Sequence, residues 1–159
     1  MHRLYRVRPV RENDLDDILV VEHASFGKDA YDRKLFAEYC HKCGELFLVA
    51  ERGRRVCGYS VTCVRGERAE LVSIAAHPEA RRTGVASALL DSTLRRLRRS
   101  DVTRFSLIVR ETNAAAVRFY AKFGFTKVRL VPGYYEDSGD GVLMKKEMGG
   151  ATIRRTGRR

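Results

Sequence analysis

No apolar run in this sequence approaches the roughly 18–20 residues that a membrane-spanning helix requires. The opening "MHRLYRVRPV" also lacks the apolar middle segment of a signal peptide. A cytoplasmic protein with no membrane partner is therefore expected. Cysteine is scarce: Cys40, Cys43, Cys57 and Cys63 supply one Cys-x-x-Cys pair, whereas a structural zinc site normally takes a second. Reduced, mostly buried thiols and no metal are the expectation. There is no Walker pattern and no G-x-G-x-x-G, so nucleotide hydrolysis and dinucleotide binding lose support. There is no internal repeat, no Cys/His finger and no extended low-complexity arm. Acidic residues are outnumbered, 20 against 31 basic, leaving a net charge of +11 and a pI of about 9.9. Such a balance suits polyanions or phosphate-bearing cofactors. Because arginine far outnumbers lysine, coding bias explains the charge equally well.

The pattern along the chain predicts alternating elements. "RLYRVRPV" reads as a strand ending at Pro9. "NDLDDILVVEHASF" reads as a helix with Asn13 as N-cap, and "DRKLFAEYCHKCG" as a second helix closing on Gly44. Three strands follow in "ELFLVAERGRRVCGYSVTCVRGERAELVSIAA", with turns at the two Arg-Gly sites. "VASALLDSTLRRLRRS" carries an apolar stripe of Val85, Leu89, Leu90, Leu94 and Leu97. Its terminal arginines complement the helix dipole. A strand "TRFSLIVR", a helix "NAAAVRFYAKFG" and two last strands complete the order β-α-α-β-β-β-α-β-α-β-β. That order implies one α/β domain with a mixed seven-stranded central sheet and about four helices. It would occupy residues 1–148, followed by a basic flexible tail over 149–159.

"ARRTGVASALL", residues 80–90, poses the functional question. Cations at a helix start oppose the macrodipole, so Arg81 and Arg82 beside Thr83 and Gly84 make best sense around a bound anion. Gly84 lets the chain turn and lets a ligand approach. The unpaired N–H groups of the first helical turn then converge on an anion site of the pyrophosphate-binding kind.

"AELVSIAAHPEARRTGVASALL" followed by "LIVRETNAAAVRFYAKFGF" resembles the GNAT acetyltransferase superfamily, most of all its RimI-type, ribosomal-protein alanine N-terminal acetyltransferases. The resemblance runs from about residue 3 to 148. It implies a GNAT fold and acetyl-CoA as co-substrate. Backbone groups of Ile74, Ala75 and Ala76 would hold pantetheine. Arg81, Arg82, Thr83, Gly84, Val85, Ala86 and Ser87 would cradle the pyrophosphate, and Asn113 would also contact the cofactor. Tyr120 would be the acid that protonates the departing thiolate. Seven residues, about two helical turns, separate Asn113 from Tyr120, so both share one face. By the same resemblance Phe26 and Tyr31 line one side of the peptide entrance, and Tyr134 and Tyr135 the other. The acidic cluster Glu136, Asp137 and Asp140 reads as a solvated turn, or else as a partner for a basic peptide.

One departure matters. RimI-type enzymes carry a glutamate in strand five where this sequence has Ile108, which cannot take a proton. Glu70, acting through water, is the favoured substitute; Glu111 is the other carboxylate nearby. The attacking amine must be neutral. An α-amine is about 10% neutral at pH 7 and a lysine about 0.04%, so an N-terminal acceptor needs far less help from a base. The expected activity is therefore acetyl transfer to a protein or peptide N-terminus, such as that of a ribosomal protein. Two alternatives stay open. One is a lysine or small-amine acetyltransferase using Glu70. The other is a non-catalytic acetyl-CoA-binding module that docks on ribosome or RNA through its basic surface. A nucleic-acid contact through the tail fits its charge without being required.

Overall fold

Alternation along a single strand shows how the first half of the protein is built. In β2 (Phe47–Arg52), Phe47 and Val49 face one side of the sheet and Leu48 and Ala50 the other, and all four are fully buried. Successive residues of a strand point oppositely, so both faces of this strand must be covered. The computed structural model describes residues 4–149. Before β2 come β1 (Arg6–Pro9), α1 (Leu15–Phe26) and α2 (Arg33–Cys43). After it come β3 (Arg55–Arg65), β4 (Arg68–Ala76), α3 (Val85–Arg98) and β5 (Arg104–Arg110). The last elements are α4 (Ala114–Lys122), β6 (Thr126–Val131) and β7 (Gly141–Glu147). The seven strands form one mixed sheet in the order β1-β2-β3-β4-β5-β7-β6, with β4 and β5 parallel. This is the element order that the sequence predicts. Of the expected tail, residues 150–159 lie outside the described residues.

The chain divides into two compact units. The first comprises residues up to 63 together with 71–97, the second 64–70 together with 98 onward. In the first, β2 runs antiparallel to both β1 and β3, in register at Val7↔Ala50 and Val49↔Tyr59. Leu15, Ile18 and Val21 of α1 and Phe36 of α2 pack with Phe47, Val49, Tyr59 and Val61 in one cluster. Val85 and Leu89 of α3 pack with Tyr5, Leu48 and Ala50 in another.

Two sequence expectations need correction here. Asn13 does not cap α1: a short 3₁₀ turn, Glu12–Asp14, precedes the helix. The organising side chain is Asp14, which takes both guanidinium nitrogens of Arg8 at 2.8 and 2.9 Å and the Arg11 N–H at 2.7 Å. A buried arginine demands a carboxylate, and that demand sets the helix entry. The cysteines are not all free either. Cys43 and Cys63, 20 residues apart, form a disulfide with Cα atoms 5.2 Å apart, pinning the end of α2 to β3. Packing α2 against β3 brings the pair together, which spacing alone does not reveal. Cys40 and Cys57 remain free and half-buried.

In the second unit β5 runs parallel to the start of β4, with Glu70 opposite Ser106, and antiparallel to β7. Phe105, Leu107 and Val109 are buried, while Ser106, Ile108 and Arg110 on the alternate face stay partly open. Registered partners share a face, so Glu70, Ser106, Ile108, Lys145 and Leu143 line the same open side. No helix of the described residues is long and apolar enough to cross a membrane.

Candidate active site

The segment between β4 and α3 has the geometry of an anion cradle. His77 receives the Glu79 N–H on Nδ1 at 3.1 Å, starting a short turn over Pro78–Ala80. The chain then adopts positive φ at Arg82 (64°) and again at Gly84 (92°), just before Val85 begins α3. Left-handed residues interspersed in a turn aim successive N–H groups toward one concavity. The N–H groups at the start of α3 have no carbonyl one turn earlier to bond, which leaves them for a ligand. A Cβ built on Gly84 meets nothing within 4 Å, so the space in front of this residue is open. Thr83 is held from behind: its hydroxyl donates to the Ala80 carbonyl and meets the Tyr5 hydroxyl at 2.6 Å. Arg81 and Arg82 are exposed, Val85 is buried, and Ala86 and Ser87 follow on the helix.

Ile74 to Ala76 end the strand that feeds this turn. Ala75 is buried, and the Ala76 carbonyl accepts from the Ser25 hydroxyl at 3.3 Å, tying the last turn of α1 to the strand end. Phe26 follows on α1 and is exposed. Tyr31 lies in the α1–α2 connection, where its N–H donates to Glu22 Oε2 at 2.9 Å. The first unit thus holds the β4–α3 turn, the strand end and the Phe26–Tyr31 segment.

The second unit holds the remaining candidates. Asn113 caps α4, accepting the Ala116 N–H on Oδ1 at 3.1 Å, as its position at the helix start predicts. Tyr120, on the same helix, is 8% exposed, with Phe119 and Phe125 at ring distances of 5.3 and 5.9 Å. No hydrogen bond reaches its hydroxyl among the described residues. Burial, and secondarily Tyr135, push this phenol up to about 12, so it stays protonated at neutral pH.

Tyr134 and Tyr135 stack edge-to-face at 4.9 Å in the β6–β7 connection. Arg110 lies 4.2 Å from the Tyr135 ring centroid and pairs with Asp137 at 3.1 Å. Asp140 accepts the Gly133 N–H at 2.9 Å. Two of the three acidic residues therefore serve the connection's own shape. Gly141 is needed for close packing, because a Cβ there would lie 2.6 Å from Ile108 Cγ2 and 3.4 Å from Tyr134 Cβ. Ile108 and Tyr134 thus both lie against Gly141. Glu70 is exposed on the same face of the sheet. Glu111 sits in the turn after β5, its N–H on the Asp140 carbonyl at 3.0 Å.

Sequence reasoning missed Tyr5, Arg110 and a buried network around Glu22. Only the last had a legible signal. Leu15, Ile18 and Glu22 recur at helical spacing, placing a carboxylate on the apolar stripe of α1.

A model of the family described as Acetyltransferase (GNAT) family matches residues 13–125. An N-alpha-acetyltransferase of Saccharolobus solfataricus is 28% identical, over 92% of this chain and 95% of its own. A putative [ribosomal protein bS18]-alanine N-acetyltransferase of Bacillus subtilis is 30% identical, over 87% and 91% respectively. The crystal structure of Ard1 from Thermoplasma volcanium superposes with a TM-score of 0.86 at 27% identity, over 91% of this chain and 98% of that one. With the strand order, the turn into α3 and these matches in agreement, the chain belongs to the GNAT family of acetyltransferases.

Proposed function

We propose that this protein is an acetyl-CoA-dependent N-acetyltransferase whose acceptor is the α-amine of a protein or peptide N-terminus. The observation that carries this reading is Tyr120: a buried phenol, held neutral, with its hydroxyl uncommitted to any described protein group. Resembling the family's acid in position, it serves the departing CoA sulfur. A thiol lies near about 8.5, below this phenol, so complete proton transfer is uphill. The hydroxyl therefore stabilises the developing thiolate by a hydrogen bond first, and the proton follows.

Ile74 to Ala76 hold the pantetheine arm through backbone groups, and Arg81 to Ser87 bind the pyrophosphate. Arg81 and Arg82 add charge to the converging N–H groups, and Asn113 contributes a further contact. The neutral amine attacks the thioester carbonyl directly. Its proton leaves to a base; Glu70 acting through water and the backbone carbonyls are the acceptors that the sequence offers. Phe26 and Tyr31, with Tyr134 and Tyr135, line the peptide entrance. Ile108 favours the N-terminal acceptor over lysine, since an α-amine supplies its own neutral fraction. The names of the archaeal and Bacillus relatives point the same way, and a ribosomal protein N-terminus is the natural first acceptor to try.

The test compares two peptides with acetyl-CoA, following free thiol release. One has a free N-terminal alanine and no lysine; the other has a blocked N-terminus and one internal lysine. Turnover with the first alone is the expected result. Turnover with the second alone would move the acceptor to lysine, and silence from both would remove the proposed activity.

A further inference from the structure

A carboxylate deep in the first unit has no part in the scheme above. Glu22, on α1, is 1% exposed. Its Oε1 accepts the Tyr59 hydroxyl at 2.5 Å and its Oε2 the Tyr31 N–H at 2.9 Å. Tyr59, on β3, is fully buried, and its oxygen lies 2.7 Å from Ser73 Oγ on β4. Counting protons fixes the direction of this chain. A phenol has one proton, and Tyr59 gives it to the carboxylate, which can only accept. Ser73 must then donate to Tyr59, which leaves the Ser73 oxygen with free lone pairs at the part-exposed end. Every donor in the line points inward, toward Glu22.

The surroundings suit a proton acceptor. From its own helix Glu22 meets His23; from the α1–α2 connection, the Tyr31 N–H; from β3, Tyr59; and from β4, through Tyr59, Ser73. Phe36, Tyr39 and Cys40 of α2 pack into the surrounding cluster. Burial raises the carboxyl above its ordinary value against the opposing pull of these donors, which makes the carboxylate a stronger proton acceptor than an exposed one. Ser73 immediately precedes Ile74 to Ala76, the strand end assigned to the thioester-bearing arm.

We propose, resting on the acetyltransferase reading, that Ser73, Tyr59 and Glu22 form a proton relay that takes the place of the missing strand-five glutamate. As the neutral amine bonds to the thioester carbon, its N–H proton passes to Ser73 Oγ. The Ser73 proton moves to Tyr59 and the Tyr59 proton to Glu22. As the C–S bond breaks, sulfur takes a proton from Tyr120. One proton is gained at Glu22 and one lost at Tyr120, and exchange with solvent restores both. Glu22 acts through two other side chains, so its mark is on the pH profile of the reaction rather than on substrate contact.

The experiment measures kcat/KM against pH for the N-terminal alanine peptide in wild type, Glu22→Gln, Tyr59→Phe, Ser73→Ala and Glu70→Gln. Wild type should fall with slope two on the acid side, one proton from the amine and one from Glu22. Glutamine keeps an acceptor for Tyr31 but donates to Tyr59, reversing the line. Phenylalanine cuts the line and leaves Glu22 on Tyr31. Each of these two variants should reduce kcat/KM by about a hundredfold, change the acid limb to slope one, and leave acetyl-CoA affinity and Tm near wild type. Ser73→Ala should behave alike, and combining it with Glu22→Gln should add little. Glu70→Gln should keep slope two. A slope-two limb surviving in both Glu22→Gln and Tyr59→Phe overturns the relay alone, as does its loss in Glu70→Gln. No turnover by wild type with either amine class overturns the activity and the relay together.

Discussion

Replacing Gly84 by alanine probes the proposed cofactor loop with a cost that can be divided into parts. At φ 92° an L-residue is strained, yet the added methyl meets nothing within 4 Å in the free protein. The stability cost is therefore conformational, about 1–2 kcal/mol, which lowers Tm by roughly 2–8 °C for a chain of this size. Gly53, in the β2–β3 turn, has φ 64° and likewise nothing within 4 Å. Gly53→Ala is thus a matched control with similar strain and no ligand to disturb. If the N–H groups around Gly84 hold the pyrophosphate, Gly84→Ala either occupies ligand space or rotates those groups away. Acetyl-CoA affinity should then drop at least about tenfold, or about 1.4 kcal/mol, whereas Gly53→Ala leaves it unchanged. Calorimetric titration with acetyl-CoA alongside thermal melts gives both numbers. A Gly84→Ala protein that melts lower but binds acetyl-CoA as tightly as wild type would refute the cradle.

Other perturbations reach other parts of the molecule. Tyr120→Phe should lower kcat by about a hundredfold with little change in the KM for acetyl-CoA, because only the developing thiolate uses the hydroxyl; steady-state kinetics decide it. Cys43→Ser opens a loop of 20 residues and should cost about 3 kcal/mol. A Tm equal to that of oxidised wild type would show that the bond contributes nothing. Burial opposes the ionised form of Asp14, but the Arg8 guanidinium and the Arg11 N–H outweigh it and hold the carboxyl below its ordinary value. A depressed folded pKa contributes stability above the unfolded value of about 3.9, lost as pH falls through the folded one. Urea melts of Asp14→Asn should show lower stability at neutral pH and a flatter loss on acidification below about pH 4.

The fold was legible because its local signals agree with one another. The apolar run "FLVA", the stripe from Val85 to Leu97 and the helix opening at Asn113 each specify an element with little outside help. The turn into α3 was legible for the same reason, since a glycine between arginines and a small-residue helix is a local pattern. What stayed hidden depends on distant residues meeting. Tyr5 reaches Thr83, 78 residues on, and Tyr59 reaches Glu22 across 37. Cys43 and Cys63 meet only because α2 lies against β3. Asn13 was the plausible cap by composition, but Arg8 decided the matter by recruiting Asp14. Ile108 shows the converse: the sequence places an apolar residue where the resemblance implies a base, and the proposed Ser73–Tyr59–Glu22 route rests on contacts between distant residues.

A single peptide distinguishes acetyl transfer to an N-terminal α-amine from transfer to lysine. The peptide carries a free N-terminal alanine and one internal lysine, so both acceptors compete at equal concentration. After incubation with the protein and acetyl-CoA, fragmentation mass spectrometry locates the added 42-dalton group, about the mass of one acetyl replacing a proton. The expected result is the group on the alanine nitrogen, with the lysine unmodified and no transfer by Tyr120→Phe on the same timescale. Acetyl on the lysine, or none on either amine, would contradict it.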